Sequence, residues 1–355
     1  MRARTVSRSH GEESVEAEER PLLEVAGLEV VFRTLAGDLT VVQEIDLVVL
    51  EAETVAVVGE SGSGKSVTAL AIMNLLGNGR ISEGSIRFGG RELVGLKPSA
   101  YRRLRGRDIG MIFQDPLSAL DPLFTIGRQL REALVWGGTP REQVRARSIE
   151  LLQQVGIADP ERRLRAYPHE LSGGQRQRLV IAIALACNPR LIVADEPTTA
   201  LDATVEAQIL DLIRSLKKRS GTAMLLITHD MSVVAQMADR VVVMYAGMLV
   251  ESGPTAEVLA EPHHPYTRAL IAAVPSVSTD RNQPMPTIEG NVPSVRAQVS
   301  GCRFHPRCPL AMERCASEAP PVRVTPDGRT SRCWLSSDEV AAREPGLVAV
   351  AGGER

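Results

Sequence analysis

Short apolar runs alternate with polar turn residues over residues 21–58 of the chain. This alternation predicts two β-rich segments followed by a strand at Thr54–Val58. Beyond that strand, residues 65–76 repeat apolar positions at helical spacing, so a glycine-rich loop joins the strand to a helix. From residue 117 to about residue 168 the apolar spacing is again helical, which predicts a separate helical insert.

The insert contains a pattern typical of a helix start. Thr139 and Glu142 have the spacing of a capping box, and Pro140 occupies the first helical position between them. An apolar face then continues as far as Gly156. We therefore predict a helix that begins near Thr139.

Strand patterns return after the insert and alternate with helices. Such alternation predicts a parallel α/β sheet with its ligand-binding groups at the carboxyl ends of the strands. The predicted strands are residues 191–194, Ala223–Thr228 and 241–245, and the predicted helices are residues 176–187, 203–217 and 231–238.

The two ends of the chain and the region after the sheet look different. The strand pattern ends at Gly253, and residues 262–293 are rich in proline and polar residues, which predicts a linker with one short helix near residues 266–273. Residues 1–20 are polar and charged with no apolar centre, so we predict a disordered tail and no secretory signal. Residues 341–355 are predicted to be a flexible tail.

The composition narrows the classes of function. A chain of 355 residues that are 44% hydrophobic can form about two domains with appendages. A net charge of -2 gives no electrostatic reason to expect nucleic acid as a partner, and 3% aromatic residues leave few platforms for base stacking. The longest apolar run, residues 179–187, is about half as long as a membrane-spanning helix. We therefore expect a cytosolic protein without a nucleic-acid partner.

The glycine-rich loop carries the first chemical signal. Residues 59–66 read Gly-Glu-Ser-Gly-Ser-Gly-Lys-Ser, which matches the phosphate-loop pattern between a strand and a helix. Its backbone N–H groups can converge on a phosphate, Lys65 can reach the β- and γ-phosphates, and Ser66 can ligate magnesium. A glycine-rich turn without a ligand is the alternative, and the flanking strand and helix disfavour it. The loop predicts a site for a nucleoside triphosphate and Mg²⁺.

Polar side chains end three of the predicted strands. Asp195 and Glu196 follow one apolar strand, where Asp195 would hold the magnesium and Glu196 would orient the attacking water. His229 ends another strand and is a candidate contact of the γ-phosphate. Gln114 follows a third strand-like run and could bind magnesium or water. A solvated acidic turn and a structural histidine are the alternatives, and the phosphate loop makes both less favoured. We predict Glu196, His229 and Gln114 as catalytic residues.

A second anion-binding helix start is predicted at residues 171–175, which read Leu-Ser-Gly-Gly-Gln before an apolar helix. One chain with a single phosphate-loop lysine has no obvious use for two such sites. Two chains that face each other head to tail would use both, because each would complete the nucleotide site of the other.

Together these motifs resemble the nucleotide-binding subunit of an ABC transporter over residues 22 to about 252. The resemblance rests on motifs that occur in the expected order: the phosphate loop, Gln114, residues 171–175, Asp195 with Glu196, residues 199–202, and His229.

This resemblance implies a fold and a set of contacts. The implied fold is an α/β, RecA-like P-loop NTPase core at residues 21–252, with an antiparallel β subdomain and a helical subdomain at about residues 115–175. It also implies a head-to-tail dimer around two ATP molecules, with Phe32 stacked on adenine. The implied MgATP contacts are Phe32, Gly59, Ser61, Gly62, Ser63, Gly64, Lys65, Ser66, Val67, Gln114 and Asp195, and the implied contacts to the partner's nucleotide are Leu171, Ser172, Gly173, Gly174, Gln175 and Asp202.

Four of the five cysteines crowd the C-terminal part of the chain. Cys302, Cys308, Cys315 and Cys333 have the spacing C-x5-C-x6-C-x17-C, whereas Cys187 stands alone in an apolar helical run. In a reducing cytosol such crowding favours a metal centre over disulfides. The spacing lacks the C-x2-C pairs of zinc ribbons and bacterial ferredoxins, so it leaves the metal undecided.

The surroundings of these cysteines resemble the C-terminal extension of the oligopeptide/dipeptide permease ATPases, through residues 264–270, 288–290 and 301–309. This second resemblance assigns residues 253–340 to that extension. It implies a 4Fe-4S cluster on Cys302, Cys308, Cys315 and Cys333. It also implies ATP hydrolysis for peptide import at the cytoplasmic face of the membrane.

The implied partners are a homologous ATPase subunit, two multispanning permeases and, indirectly, an external peptide-binding protein. Two alternatives remain open at this point: a soluble ABC ATPase of DNA repair or of the ribosome, and an importer of another cargo such as nickel or glutathione.

Overall fold

A computed structural model describes residues 20–199, 201–274, 287–294, 299–325 and 328–343. The predicted N-terminal tail, except its last residue, and most of the predicted C-terminal tail lie outside these ranges. The first elements in the chain are β1 (Leu23–Thr34), β2 (Gly37–Val49), β3 (Thr54–Val58), α1 (Lys65–Ile72), β4 (Gly79–Phe88), β5 (Arg91–Glu92), α2 (Pro98–Leu104) and β6 (Ile109–Ile112).

Helices follow β6, which confirms the predicted helical insert. They are α3 (Pro116–Ala119), α4 (Ile126–Trp136), α5 (Val144–Gln154), α6 (Pro160–Arg163), a 3-10 turn at Pro168–Glu170, and α7 (Gly173–Leu185). The apolar faces of these helices pack against one face of the parallel strands. Leu130, Leu152 and Leu179 are fully buried in the core that results.

The capping box predicted at Thr139 is wrong. Helix α5 begins at Val144, and its N-cap Gln143 makes no side-chain capping hydrogen bond. Thr139 instead belongs to the end of α4, because its N–H donates to the carbonyl oxygen of Leu134 at 2.9 Å. Residues 140–143 then form turns before the next helix starts.

The remaining chain alternates strands and helices, and the predicted strands are confirmed. The elements are β7 (Leu191–Asp195), α8 (Ala203–Ser220), β8 (Ala223–Thr228), α9 (Met231–Met237), β9 (Arg240–Tyr245), β10 (Met248–Pro254), α10 (Thr255–Ala260), α11 (Pro265–Ala272), a 3-10 turn at His305–Arg307, α12 (Glu313–Ser317), β11 (Arg323–Val324), β12 (Thr330–Ser331) and α13 (Ser337–Arg343).

The strands form two sheets within the described residues. The larger sheet has the order β11-β12-β10-β9-β3-β8-β7-β6, and the smaller has the order β2-β1-β4-β5. Strands β9, β3, β8, β7 and β6 are parallel, so their carboxyl ends lie along one edge. The smaller sheet is antiparallel and packs with α1 in one core. An α/β core with an antiparallel β subdomain and a helical subdomain is thereby confirmed.

The sheet continues beyond the predicted end at Gly253. Strand β12 pairs with β10 through Glu251 and Ser331, and so covers an edge that would otherwise expose unpaired N–H and C=O groups. Helix α11 confirms the short helix predicted in the linker, and residues 275–286 of that linker lie outside the described ranges. Helix α13 runs to Arg343, so the predicted tail boundary at residue 340 falls inside a helix.

Helix α1 is shorter than predicted, because it ends at Ile72 and not at residue 76. Asn74 has a φ of 49°, in the left-handed region that ends helices, and the N–H of Leu75 returns to the carbonyl oxygen of Leu70 at 2.7 Å. The apolar spacing beyond Ile72 therefore reflects burial of Leu76 in the core and not a further helical turn.

Candidate nucleotide site

The phosphate loop leaves the carboxyl end of β3 and enters α1. Gly59 allows it to pass close to β9, since a Cβ atom there would lie 2.1 Å from the carbonyl oxygen of Met244. Gly64 adopts a φ of 101°, which favours glycine. Ser61 and Gly62 are exposed on the loop, and Val67 lies on α1 against the core. Ser63 is buried, and its Oγ has no hydrogen-bond partner within the described chain. The loop thus lies at the edge where ligands of parallel sheets bind.

Lys65 is the first residue of α1, and its side chain lies against the phosphate loop. Its Nζ donates to the carbonyl oxygens of Gly59 at 2.7 Å and Glu60 at 3.0 Å. Burial lowers the pKa of Lys65, and the nearby carboxylates of Glu196 and Asp195 oppose that shift. The ammonium group is held beside the loop by weak acceptors that a phosphate oxygen can replace.

Ser66 and Asp195 join α1 to the end of β7. The Oγ of Ser66 donates to Oδ1 of Asp195 at 3.0 Å. Burial raises the pKa of Asp195, and the hydrogen bond from Ser66 opposes that rise. A hydroxyl and a carboxylate at this separation are hard oxygen donors of the kind that Mg²⁺ prefers. These residues therefore fit a magnesium ion.

The three predicted catalytic residues meet at Glu196. Gln114 Nε2 donates to one carboxylate oxygen of Glu196 at 2.9 Å, and His229 Nδ1 lies 3.2 Å from the other. Thr199, which sequence reasoning did not place in the site, donates its Oγ1 proton to Glu196 at 2.8 Å. Glu196 has a φ of 45°, which turns the chain sharply after Asp195.

The charge of Glu196 is stabilised by these partners. Burial alone would raise the pKa of its carboxyl, but the hydrogen bonds from Thr199 and His229 outweigh burial and hold the pKa below its usual value. Glu196 is therefore an anion at neutral pH. Such a group can hold and polarise a water molecule near the phosphate loop.

Phe32 lies on β1 and not on the phosphate loop. It pairs with Gly79 of β4, where a Cβ atom would lie 2.7 Å from the Phe32 ring. The ring is half-buried on the surface of the smaller sheet. Its contact with adenine stays a prediction.

Residues 171–175 begin helix α7. Ser172 is the exposed N-cap, and its Oγ and backbone N–H form a capping box with Gln175. Leu171 is buried in the helical core, whereas Gly173 is exposed.

Asp202 lies close to this helix start. It caps α8 by accepting a hydrogen bond from the N–H of Val205 at 3.0 Å. Gly174 packs against the same residue, because a Cβ atom there would lie 2.8 Å from Val205 Cγ1. The structure thus brings the start of α7 close to the start of α8, where Asp202 lies.

The four C-terminal cysteines converge. Cys302, Cys308, Cys315 and Cys333 all line one cavity of about 20 Å³. Burial raises the pKa of Cys302 and Cys333, and raises that of Cys308 to about 12. Within the described ranges, however, no group of three or more His, Cys, Asp or Glu side chains is arranged to hold a metal ion. Four cysteine thiols are nonetheless the donor set of an iron–sulfur cluster.

Cys187 lies apart from this group, where its Sγ donates to the carbonyl oxygen of Ala133 at 3.3 Å. In the part of the chain that the structure describes, no helix has both the length and the apolar character required to cross a membrane.

A phosphate loop, a strand-end acidic pair and a capped Ser-Gly-Gly-Gln helix start on this fold define an ATP-binding cassette ATPase. The family profile described as ABC transporter matches residues 42–199, and the one described as oligopeptide/dipeptide transporter, C-terminal region, matches residues 250–315. The chain belongs to the ABC transporter ATP-binding proteins that carry this C-terminal region.

Relatives and solved structures agree with that assignment. A putative peptide import ATP-binding protein of Brucella ovis is 49% identical over 91% of this chain and 99% of its own length. The oligopeptide transport ATP-binding protein AppD of Bacillus subtilis is 44% identical over 90% of this chain and 98% of its own length. The ATP-binding cassette MJ0796, solved as a dimer bound to ADP and phosphate, covers 66% of this chain and 98% of its own at 28% identity, with a TM-score of 0.59. CbiO1 from Clostridium perfringens, part of an ABC transporter complex, has the same TM-score and identity, and the match covers 68% of this chain and 91% of CbiO1.

Proposed function

We propose that this chain binds and hydrolyses MgATP to power the import of dipeptides or oligopeptides through a membrane ABC transporter. The observation that carries the hydrolytic part is the convergence of Gln114, Thr199 and His229 on Glu196, next to the Ser66–Asp195 pair. The similarity to peptide-import proteins over nearly the whole chain supports the class of cargo.

Each residue of the site has a role in this proposal. Lys65 exchanges its bonds to loop carbonyls for bonds to the β- and γ-phosphates, and the loop amides bind the remaining phosphate oxygens. Ser66, Asp195 and Gln114 would hold Mg²⁺, which neutralises phosphate charge when bound. Glu196 orients the attacking water, and His229 contacts the γ-phosphate and keeps Glu196 in place. Phe32 stacks on adenine.

The site is completed by a second subunit. Ser172 and the exposed start of α7 would bind the γ-phosphate of the nucleotide on the partner, with Leu171, Gly173, Gly174, Gln175 and Asp202 around it. This role is supported by the capped, solvent-facing helix start, whose dipole favours an anion. The partner is a homologous ATPase subunit, and a heterodimer is the first expectation.

Closure of the two subunits would move their helical inserts against two multispanning permease subunits. A peptide-binding protein on the outer side would deliver cargo to those permeases without contacting this chain. The protein would therefore be peripheral, at the cytoplasmic face of the cell membrane.

Glu196→Gln tests the hydrolytic part. The variant keeps the shape of the side chain but cannot polarise water as an anion, so we expect the turnover of ATP to fall by at least about 100-fold while MgATP still binds. ATP-bound dimers should accumulate on gel filtration. Turnover that stays near the wild-type rate would refute the role of Glu196, and loss of nucleotide binding would point to a damaged site instead.

The transport part needs a different experiment. Affinity purification from detergent-solubilised membranes should recover two multispanning proteins, whereas recovery of ribosomes or DNA would favour a soluble ABC ATPase. Once the complex is reconstituted, its ATPase should be stimulated by peptide with the binding protein. If nickel chelates or glutathione stimulate the ATPase and peptides do not, the cargo is one of those compounds and not a peptide.

We also propose a metal centre, with a 4Fe-4S cluster as the first expectation, on Cys302, Cys308, Cys315 and Cys333. The convergence of four thiols on one cavity supports it. Anaerobically purified protein should contain iron and sulfide and absorb visible light, and Cys308→Ser should lose the iron, the sulfide and the absorption. Cys187→Ser is the matched control and should keep them. A colourless, zinc-loaded protein would refute the cluster.

A further inference from the structure

The C-terminal extension contacts the phosphate loop directly through an ion pair. Arg307 donates to both carboxylate oxygens of Glu60, at 2.6 Å from Nη1 and 3.0 Å from Nη2. Glu60 is the second residue of the phosphate loop, and 247 positions separate the two residues in sequence. The bidentate geometry fixes both the charge and the orientation of the Glu60 side chain.

Arg307 is built into this position. Only 4% of its side chain is exposed, against 28% for Glu60. Besides the two bonds to Glu60, its guanidinium donates to the carbonyl oxygens of Glu289 at 2.8 Å and Ile288 at 3.0 Å and to the hydroxyl of Tyr245 at 3.4 Å. These bonds use all five guanidinium N–H groups. The pair with Glu60 raises the pKa of Arg307, so the arginine carries its charge at every accessible pH.

A second contact holds the backbone of the same loop residue. The N–H of Glu60 donates to the hydroxyl of Tyr266 on α11 at 2.8 Å. The Tyr266 ring packs against Tyr245 and Phe304, with ring centroids 4.6 Å and 5.3 Å away. Glu60 is therefore held at its main chain and its side chain by residues that follow the parallel sheet in sequence.

The turn that carries Arg307 lies between two of the cysteines. The N–H of His305 donates to the carbonyl oxygen of Cys302 at 3.0 Å, and the N–H of Cys308 donates to that of His305 at 3.3 Å. Phe304, within the same turn, is 1% exposed in the core below the phosphate loop. The position of Arg307 thus depends on how the segment around Cys302 and Cys308 is folded.

An unpaired carboxylate at Glu60 would oppose nucleotide binding. The triphosphate of ATP brings several negative charges to the loop, and Glu60 is a loop residue whose carbonyl oxygen already accepts a bond from Lys65. Like charges at such a site repel, and the low local dielectric strengthens the repulsion. Arg307 neutralises the carboxylate and draws it toward the extension.

We propose that Arg307 is a positioning residue of the nucleotide site, through which the cysteine-bearing segment sets the affinity for MgATP. The inference rests on the proposed nucleotide site at the phosphate loop. Arg307 does not touch the nucleotide; it acts through Glu60. Its removal should therefore weaken binding of ATP more than it slows the chemical step.

The test is a double-mutant cycle on the full chain. A fluorescent ATP analogue with Mg²⁺ gives Kd, and ATPase assays give KM and kcat. Arg307→Ala should raise Kd and KM roughly tenfold, with kcat within about twofold of wild type. In a Glu60→Gln background the same substitution should change Kd by less than about twofold, because no carboxylate remains to be neutralised. Arg314→Ala is the control, since Arg314 lies in the same extension, is 48% exposed and pairs with Glu318 instead.

Arg307→Lys guards against a variant that fails to fold. Lysine keeps the charge but cannot form the bidentate pair, so we expect Kd to rise roughly threefold, and Glu60→Gln should abolish that difference. A wild-type Kd in Arg307→Lys and Arg307→Ala would overturn the inference. Equal loss of affinity with and without the Glu60 carboxylate would also overturn it, because Arg307 would then serve folding alone. Failure of the wild-type chain to bind MgATP would instead refute the proposed nucleotide site.

Discussion

At the scale of single residues, the hydroxyl of Thr199 is the least expected part of the site. It donates to Glu196 and contributes to holding the pKa of that carboxyl below its usual value. Thr199→Val removes the donor and keeps the volume, so the pKa of Glu196 should rise. Glu196 must be ionised to act, and the acid limb of the kcat–pH profile should therefore move to higher pH by up to about one unit, so that kcat on that limb falls by up to about tenfold.

The profile of Thr199→Val is to be compared with that of Thr34→Val, which changes the same residue type at the end of β1. The control should titrate like wild type. If the acid limb does not move in Thr199→Val, the hydroxyl of Thr199 does not lower the pKa of Glu196.

The residues of the site differ in how far sequence could predict them. Asp195, Glu196 and His229 could be predicted because each follows an apolar strand and carries a side chain suited to phosphate chemistry. Thr199 was named only as the first residue of the motif at residues 199–202, and nothing in that pattern indicated its hydrogen bond to Glu196. Arg307 gave no signal, since an arginine in a polar segment is normally solvated. Its contact with Glu60 depends on the tertiary position of the C-terminal turn, which no local pattern encodes.

At the scale of elements, the packing of α7 on α8 depends on a residue without a side chain. An alanine at position 174 would place its Cβ 2.8 Å from Val205 Cγ1, and a β-branched valine in a helix cannot rotate away easily. Gly174→Ala should therefore lower the free energy of unfolding by about 1 kcal/mol, although alanine is the better helix former.

Val205→Ala provides the matched background for this prediction. There the clash is absent, and Gly174→Ala should become neutral or stabilising in urea unfolding. The same loss in both backgrounds would show that the contact with Val205 is not its cause.

The junction between β10 and α11 predicts a pH dependence of stability. Glu251 accepts hydrogen bonds from the N–H groups of His263 and His264, and burial raises its pKa to about 7. The pKa of Glu251 in the folded state exceeds its unfolded value of 4.5. The contribution of Glu251 to the free energy of unfolding is therefore fully present below about pH 4.5 and is lost as the pH rises through about 7.

Glu251→Gln tests this dependence, since glutamine stays neutral throughout. The free energy of unfolding of wild type, minus that of Glu251→Gln, should fall by about 3 kcal/mol between pH 4.5 and pH 8. Urea unfolding at several pH values measures it, and a constant difference would contradict the raised pKa.

Elements were predictable where they are long and periodic. The strands β3, β7, β8 and β9 are continuous apolar runs bounded by polar residues, so their existence and order could be predicted. The start of α5 could not, because Thr139 resembles a cap but is used to end the preceding helix. Strands β11 and β12 are two residues long, and only the pairing of β12 with β10 and of β11 with β12 makes them strands.

At the scale of the whole molecule, the cassette and the C-terminal extension share a core. Phe304 is 1% exposed and packs in one cluster with Val58 of β3 and Val243 of β9. Removing its ring leaves a cavity beneath the phosphate loop, which costs about 3–5 kcal/mol. Since that core includes strands of the cassette, Phe304→Ala should lower the unfolding temperature of the whole chain and not only that of the extension.

Differential scanning calorimetry distinguishes the two cases. Shared packing predicts one main transition, which moves down as a unit in Phe304→Ala. Leu35→Ala, at a side chain that is 111% exposed, should change stability by less than about 0.5 kcal/mol. Two separate transitions, of which Phe304→Ala moves only the smaller, would mean that the extension folds independently. Arg307 could then be released from Glu60 without any change in the stability of the cassette.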